Sequence, residues 1–310
     1  MDKLATPNQQ SIANWHRNLL VAAAVFSVLL IAMGGVLCVT QNIRSCPDWP
    51  GCFGKILPPL QTGPVLEITH RLLAAITGLL ILTSAIVGAW RARRLPLILW
   101  PPLFAIVLVV EVSVLGALVV LRGISRGWAA IDIGSAFLVV ALMVTSATTA
   151  FILNKHQTKT IRMTVHHPFT RLVLATAIVV YVILVSGVLV AGNSSITACS
   201  GWPVYSPQLI SMDLLGVAKF LRLALSVVGI GLILTVFAQA SKNRAQQPVV
   251  YQMARLIVGV FSLEIVLQIL LLVFGFKVYL LIPYTVTASV FWALLVVMVV
   301  FTSLQERVSS

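Results

Sequence analysis

Glu67-Ile-Thr-His70-Arg71 is the segment whose residue types and spacing come closest to chemistry. On a helix, Glu67 and His70 are three residues apart and share a face, while Glu67 and Arg71 are four apart and form an ion pair. An imidazole held among apolar neighbours serves equally as an axial ligand for heme iron or as a hydrogen-bonded packing residue. Glu67 has four readings open to it. It orients the imidazole, meets a propionate by way of Arg71, handles protons, or is half of a structural ion pair. Few other ionisable residues fall in apolar surroundings: Glu111, Asp132, Glu264, Lys219 and Arg222. Such groups are costly in hydrocarbon and mark interior or functional positions. Asp132 lies at a depth similar to His70, so the spacing predicts a charged cluster near one membrane face.

A second cluster precedes the first. Cys46 and Cys52 flank Pro47, Asp48, Trp49, Pro50 and Gly51. In an oxidising compartment this pair is either a structural disulfide or a redox-active one. Closing so short a loop stabilises it by roughly 2–3 kcal/mol in the chain-entropy description. Cys38 is expected to be a buried apolar residue. The remaining histidines fall elsewhere: His16 at the opposite end of the first apolar run from the loop, and His156, His166 and His167 in a polar stretch. The adjacent pair His166–His167 reads as solvated rather than metal-binding.

These residues must be positioned by membrane-spanning helices. The chain of 310 residues is 59% hydrophobic and 9% charged, too apolar to cover a soluble exterior. Eight runs approach the ~20 residues a helix needs to cross a bilayer: 17–39, 66–90, 96–121, 129–153, 170–192, 217–241, 252–274 and 279–304. The runs are too long for strands and lack the alternation of an outer-membrane barrel. The fold class is therefore an all-α integral membrane protein. A net charge of +13 invites a nucleic-acid reading, but its distribution argues against one. With the N-terminus inside, Arg17, Arg91, Arg93, Arg94, Lys155, Arg171, Lys242, Arg244 and Arg255 fall on the cytoplasmic side, along with the basic residues of the linker and termini. Arg44, Lys55, Arg122, Arg126 and Lys277 fall outside. That is the positive-inside bias of a cell-membrane protein with both termini cytoplasmic. The first run lacks a small-residue cleavage pattern and reads as an uncleaved signal anchor.

An internal repeat organises the runs. Cys46-Pro-Asp-Trp49-Pro50 corresponds to Cys199-Ser-Gly-Trp202-Pro203, Gly35 to Gly187, and Arg71 with Gly78 to Arg222 with Gly229. The expected division is a four-helix half over 1–153, a basic linker over 154–169, and a second half over 170–310. The two halves share one orientation and form two pseudo-symmetric four-helix bundles. Cys199 has no second cysteine in its own loop, so the second half cannot repeat the bridge.

Taken in order, Gly34-Gly35-Val36, Ser45-Cys-Pro-Asp-Trp-Pro-Gly-Cys52-Phe-Gly, Pro58-Pro59, Glu67-Ile-Thr-His70-Arg-Leu-Leu-Ala74 and Leu115-Gly116-Ala117-Leu118 resemble the heme A synthase family. The resemblance spans the chain but is sharp only in its first half, as in a divergent member. It implies a membrane oxidoreductase that converts the C8 methyl of heme O to the formyl of heme A for cytochrome oxidase biogenesis. Heme would be both substrate and cofactor, and heme O synthase or oxidase assembly proteins would be partners. It also implies matched histidines in helices 2, 4, 6 and 8, one pair per half. Only His70 is present. Asp132, Leu221 and Tyr284 stand at the other three positions, and Cys38 stands where an arginine belongs. On this basis His70 holds heme iron, Arg71 and Asp132 belong to the heme site, Glu67 is the catalytic carboxylate, and the heme b site of the second half is lost.

Three functions compete. One is the synthase. Another is a non-catalytic relative that handles heme or assists oxidase assembly, which the missing histidines favour. A third is a transporter built on the repeat, supported only by Glu111 and Glu264 and opposed by the absence of interrupted helices.

Overall fold

The computed structural model describes residues 12–55, 58–156, 163–190 and 214–305. These form eight helices, each long and apolar enough to cross a membrane: α1 (Asn14–Val39), α2 (Thr62–Arg91), α3 (Pro96–Leu121), α4 (Arg126–His156), α5 (Pro168–Val190), α6 (Leu214–Lys242), α7 (Pro248–Phe274) and α8 (Val278–Gln305). None of the described residues forms a strand. A lone antiparallel bridge joins Cys52 to Lys55 inside the first loop.

Helices dominate because backbone N–H and C=O groups find no water in hydrocarbon and must pair within their own segment. Most ends extend past the apolar runs. α2 begins at Thr62, about a turn before the run predicts, because the helix continues through residues that need not lie in lipid. Consequently His70 stands about 12 Å along the helix rather than near its mouth. Asp132 likewise lies in the second turn of α4, whose first residue is Arg126. Pro96 and Pro248 open α3 and α7, where a missing N–H costs nothing. Pro101, Pro102 and Pro283 lie inside α3 and α8 without breaking either.

Helices 1 to 4 close a ring of neighbours, α1–α2–α3–α4–α1, and helices 5 to 8 close the same ring. The rings meet where α1 packs on α8, and α4 packs on α5 and α8. In α4 and α8, 56% of the most apolar window is buried, against 11% in α3. The core of the molecule is therefore the α4–α8 pair. Trp292 of α8 donates from Nε1 to the Phe137 carbonyl of α4 at 2.9 Å. Its ring meets Phe137 edge-on and Tyr181 of α5 at 5.7 Å. α3, by contrast, leaves Trp100, Phe104, Val107, Val110 and Val114 exposed, an outer face suited to lipid.

Candidate functional site

The first loop is a rigid cap fastened to α2. Cys46 and Cys52 are joined as a disulfide with Cα atoms 4.9 Å apart. Between them, Asp48 turns its carboxylate onto the return of the chain. Oδ1 accepts the Phe53 N–H and Oδ2 the Gly54 N–H, each at 2.6 Å. The Gly54 N–H, more than that of Phe53 and aided by the Arg71 charge, holds the Asp48 carboxyl below its usual value of 3.8. Phe53 and Gly54 both adopt positive φ, and the Trp49–Pro50 peptide is cis.

Arg71 carries the cap. Its Nη1 donates to the carbonyls of Asp48 at 2.9 Å and Pro50 at 3.1 Å, and also to that of Gly51. Its Nη2 pairs with Glu67 Oε1, the ion pair that the four-residue spacing predicts. The second oxygen of Glu67 accepts the Cys46 N–H at 2.7 Å. Glu67 is 2% exposed, so this carboxylate is buried with both oxygens engaged, one by a cation and one by the backbone. The junction is tight at Gly63. A Cβ there would lie 2.5 Å from Ser45 Oγ and 2.6 Å from Asn42 Oδ1, so a larger residue would have to turn both side chains aside where the loop meets the first turn of α2.

His70 stands one turn below Glu67 and faces α1. A Cβ added at Gly34 would lie 3.4 Å from His70 Cε1, so the α1 backbone leaves the ring its room. The Nδ1 of His70 is buried and has no hydrogen-bond partner, and the same is true of Asp132 Oδ1. Buried polar atoms are nearly always paired. Each of these two orphans is a point where a ligand can complete the bonding, as are the two unpartnered carboxylate oxygens of Glu264 on α7. No contact joins His70 directly to Asp132. Instead α4 is tied to α3 by Ser135, which donates to Glu111 Oε2 at 2.7 Å. In the second half, Leu221 is 61% exposed and Tyr284 is fully buried. Arg222 donates to the Ile183 carbonyl at 3.3–3.4 Å.

A heme held through one imidazole fits these residues: a single ring with an orphaned nitrogen, given space by a glycine. A heme held by two imidazoles does not fit. Between the start of α1 and His156 at the end of α4, the histidines are His16 and His70 alone, and α5 to α8 contain none. His16 packs beside Arg91 at the far end of α2, about 31 Å along the helix from His70.

Cys38 departs from expectation. It is half-buried and disulfide-bonded rather than a free apolar side chain. Its sequence neighbours gave no sign of this, since pairing is decided by what the fold brings near. The contact between Glu67 and Cys46 was also invisible in the sequence, where 21 residues separate them. The Cys199-Ser-Gly-Trp202-Pro203 segment and the basic residues of the linker at 159 and 162 lie outside the described residues.

The COX15-CtaA model of cytochrome oxidase assembly proteins matches residues 61–296. The heme A synthase of Shouchella clausii (strain KSM-K16) is 28% identical over 276 residues, which cover 87% of this chain and 88% of that protein. The heme A synthase of Halalkalibacterium halodurans is 26% identical over 208 residues, covering 64% and 67%. That of Geobacillus kaustophilus (strain HTA426) is 30% identical over 120 residues, covering 39% and 38%.

Proposed function

The chain belongs to the COX15-CtaA family of cytochrome oxidase assembly proteins, and from that premise we propose that it works in heme A biosynthesis as an oxidoreductase that converts the C8 methyl of heme O to the formyl of heme A. The observation that carries the reading is His70. It is an imidazole within a helix long and apolar enough to cross a membrane, with an orphaned Nδ1, given room by Gly34 and next in sequence to the arginine that clamps the disulfide loop. In this reading His70 takes the substrate iron as its single protein ligand, and Asp132 on α4, with its own orphaned oxygen, supplies a second polar group to the heme. Iron with one protein ligand keeps a position open for oxygen chemistry.

Glu67 and Arg71 act through the loop. Glu67 engages one oxygen with Arg71 and the other with the Cys46 amide, so it governs the reaction by fixing the loop to the helix that carries His70. The charge bias orients the bundle with both termini in the cytoplasm and the disulfide loop outside the cell membrane. Heme O synthase and other assembly factors of cytochrome oxidase are the partners that this placement calls for.

A second reading has its own observation. With Leu221 and Tyr284 standing where the resemblance calls for histidines, the second half lacks a heme b site, and the chain handles heme without oxidising it. One experiment separates the two. The protein is expressed with heme O available and purified in mild detergent. Its reduced-minus-oxidised spectrum and pyridine hemochrome are recorded, and extracted hemes are resolved by chromatography. The synthase reading expects near-stoichiometric heme in the wild type, loss of that heme in His70→Ala, and accumulation of heme A. It expects Glu67→Ala to retain heme while losing most turnover. Bound heme without heme A selects the handling reading, and a heme-free wild type overturns the synthase reading and leaves a non-catalytic role in oxidase assembly.

A further inference from the structure

The opposite end of the bundle holds a cavity that the heme reading does not use. It has a volume of about 520 Å³ and lies between the start of α1 and the α2–α3 turn. Its polar lining is His16 with Arg91, Arg93 and Arg94, and its apolar lining includes Trp90 and Leu95. We propose that this cavity binds a phosphate-bearing anion, met in the membrane as the headgroup of an anionic phospholipid.

Three observations converge. First, three arginines within four positions face one space, and no aspartate or glutamate among the described residues lines it. Like charges so close repel, and a shared anion relieves them. Guanidinium groups are the side chains best matched to phosphate oxygens. Basic pockets between transmembrane helices are where anionic headgroups bind. Second, His16 is 3% exposed and lines the cavity, yet its Nε2 has no hydrogen-bond partner. A buried unmet polar atom is costly, and a phosphate oxygen in the cavity would satisfy it. Third, the surroundings suit a lipid. Trp90 is 76% exposed, at the level where tryptophan favours the membrane interface. Trp15 packs against Arg91 at 5.3 Å, and the His16 ring lies 5.7 Å from that of Trp15.

The positive-inside rule alone explains arginines at this end. It does not explain a cavity, or a buried histidine with an unpaired nitrogen in its lining. The turn is also built to hold its shape: Arg93 Nε donates to the Ala89 carbonyl, and Leu95 N–H to that of Ala92 at 2.8 Å. The arginines therefore project from a fixed corner rather than a loose loop.

The test uses the full chain in phosphatidylcholine nanodiscs titrated with phosphatidylglycerol, read by thermal unfolding and by native mass spectrometry of retained lipid. His16→Leu keeps every arginine and removes the imidazole with its unpaired nitrogen. Arg93→Gln/Arg94→Gln removes two charges from the cavity, and Lys242→Gln/Arg244→Gln removes two from another loop at the same end. Selective retention of phosphatidylglycerol is expected. It should weaken by about fivefold for each cavity arginine lost and by a few-fold in His16→Leu, with no change in the Lys242/Arg244 control. A parallel arm adds inorganic phosphate to pure phosphatidylcholine discs. Stabilisation there that His16→Leu abolishes supports the same anion site with a soluble ligand. Equal loss in the control, or phosphatidylglycerol binding indifferent to His16, overturns the proposal and leaves the arginines as topological signals only.

Discussion

Asp48 does more for the first loop than its exposure implies. It caps two consecutive amides, and the Gly54 N–H holds its carboxyl below the usual range. Because the folded value is depressed, the carboxylate stabilises the loop above the ordinary value of 3.8 and loses that contribution only as pH falls through the lower folded value. Hydrogen exchange at Phe53 and Gly54 should therefore stay slow through the ordinary carboxylate range and quicken below it. In Asp48→Ala it should be fast at every pH. A transition at or above the ordinary value would show that the two amide contacts do not persist in solution. Much of this neighbourhood is legible in the sequence. The four-residue spacing of Glu67 and Arg71 gives their ion pair, and the short Cys46–Cys52 loop gives the bridge between its two ends. The three carbonyls on Arg71 are not legible, because they depend on the backbone path through Trp49–Pro50 that aims Asp48, Pro50 and Gly51 at one guanidinium. The disulfide state of Cys38 is hidden for the same reason: side-chain type in a helix says nothing of what the fold brings across from it.

At the scale of elements, α1 is held between α2 and α8 by two consecutive glycines that do different work. Gly34 gives His70 its room, with a Cβ reaching ordinary contact at 3.4 Å, whereas a Cβ at Gly35 would come within 2.9 Å of Thr285 Cβ on α8. Gly35→Ala must therefore push two helix backbones apart, an overpacking worth about 1–3 kcal/mol. Gly34→Ala should be nearly neutral for folding, and the larger Gly34→Val should displace His70. Thermal unfolding in detergent should place Gly35→Ala clearly below the wild type. Gly116→Ala and Gly231→Ala have nothing within 4 Å of the added carbon and should unfold with the wild type. Heme retention should fall in Gly34→Val before stability does. If Gly35→Ala and Gly116→Ala unfold alike, the α1–α8 approach is looser than the structure has it. The helices themselves were plain in the apolar runs, since length and hydropathy are all that a bilayer asks of a span. Their ends were not, because a helix stops where capping and turn geometry stop it rather than where apolar residues run out. That is why His70 and Asp132 lie deeper along α2 and α4 than their runs imply.

For the whole molecule, the question is what joins the first four helices to the last four. Repeated landmarks in the sequence predict two halves, and each set of four helices closes the same ring of neighbours. The sequence could not say which helices form the seam, because every span is apolar on all sides and hydropathy does not separate lipid from protein as a neighbour. Burial does separate them, and it singles out α4 and α8. Trp292 is the anchor of that seam. It is 5% exposed, donates to Phe137 on α4, and lies tilted against the ring of Tyr181 on α5. Without a hydrophobic drive between helices in lipid, packing and the few interhelical hydrogen bonds must hold the rings together. Trp292→Phe removes the bond and keeps most of the packing, a loss of about 0.5–1.5 kcal/mol. Trp292→Ala removes both, about 3–5 kcal/mol in a well-packed core. The sharper measurement cuts the chain at an engineered protease site between residues 156 and 163 and asks whether the fragments still co-purify. Wild-type and Trp292→Phe fragments should stay together, and Trp292→Ala fragments should separate while each keeps its helical signal. If Trp292→Ala fragments remain paired, the α1–α8 contact at Gly35 rather than the α4–α8 core holds the rings. Gly35→Ala combined with Trp292→Ala would then be the variant that parts them.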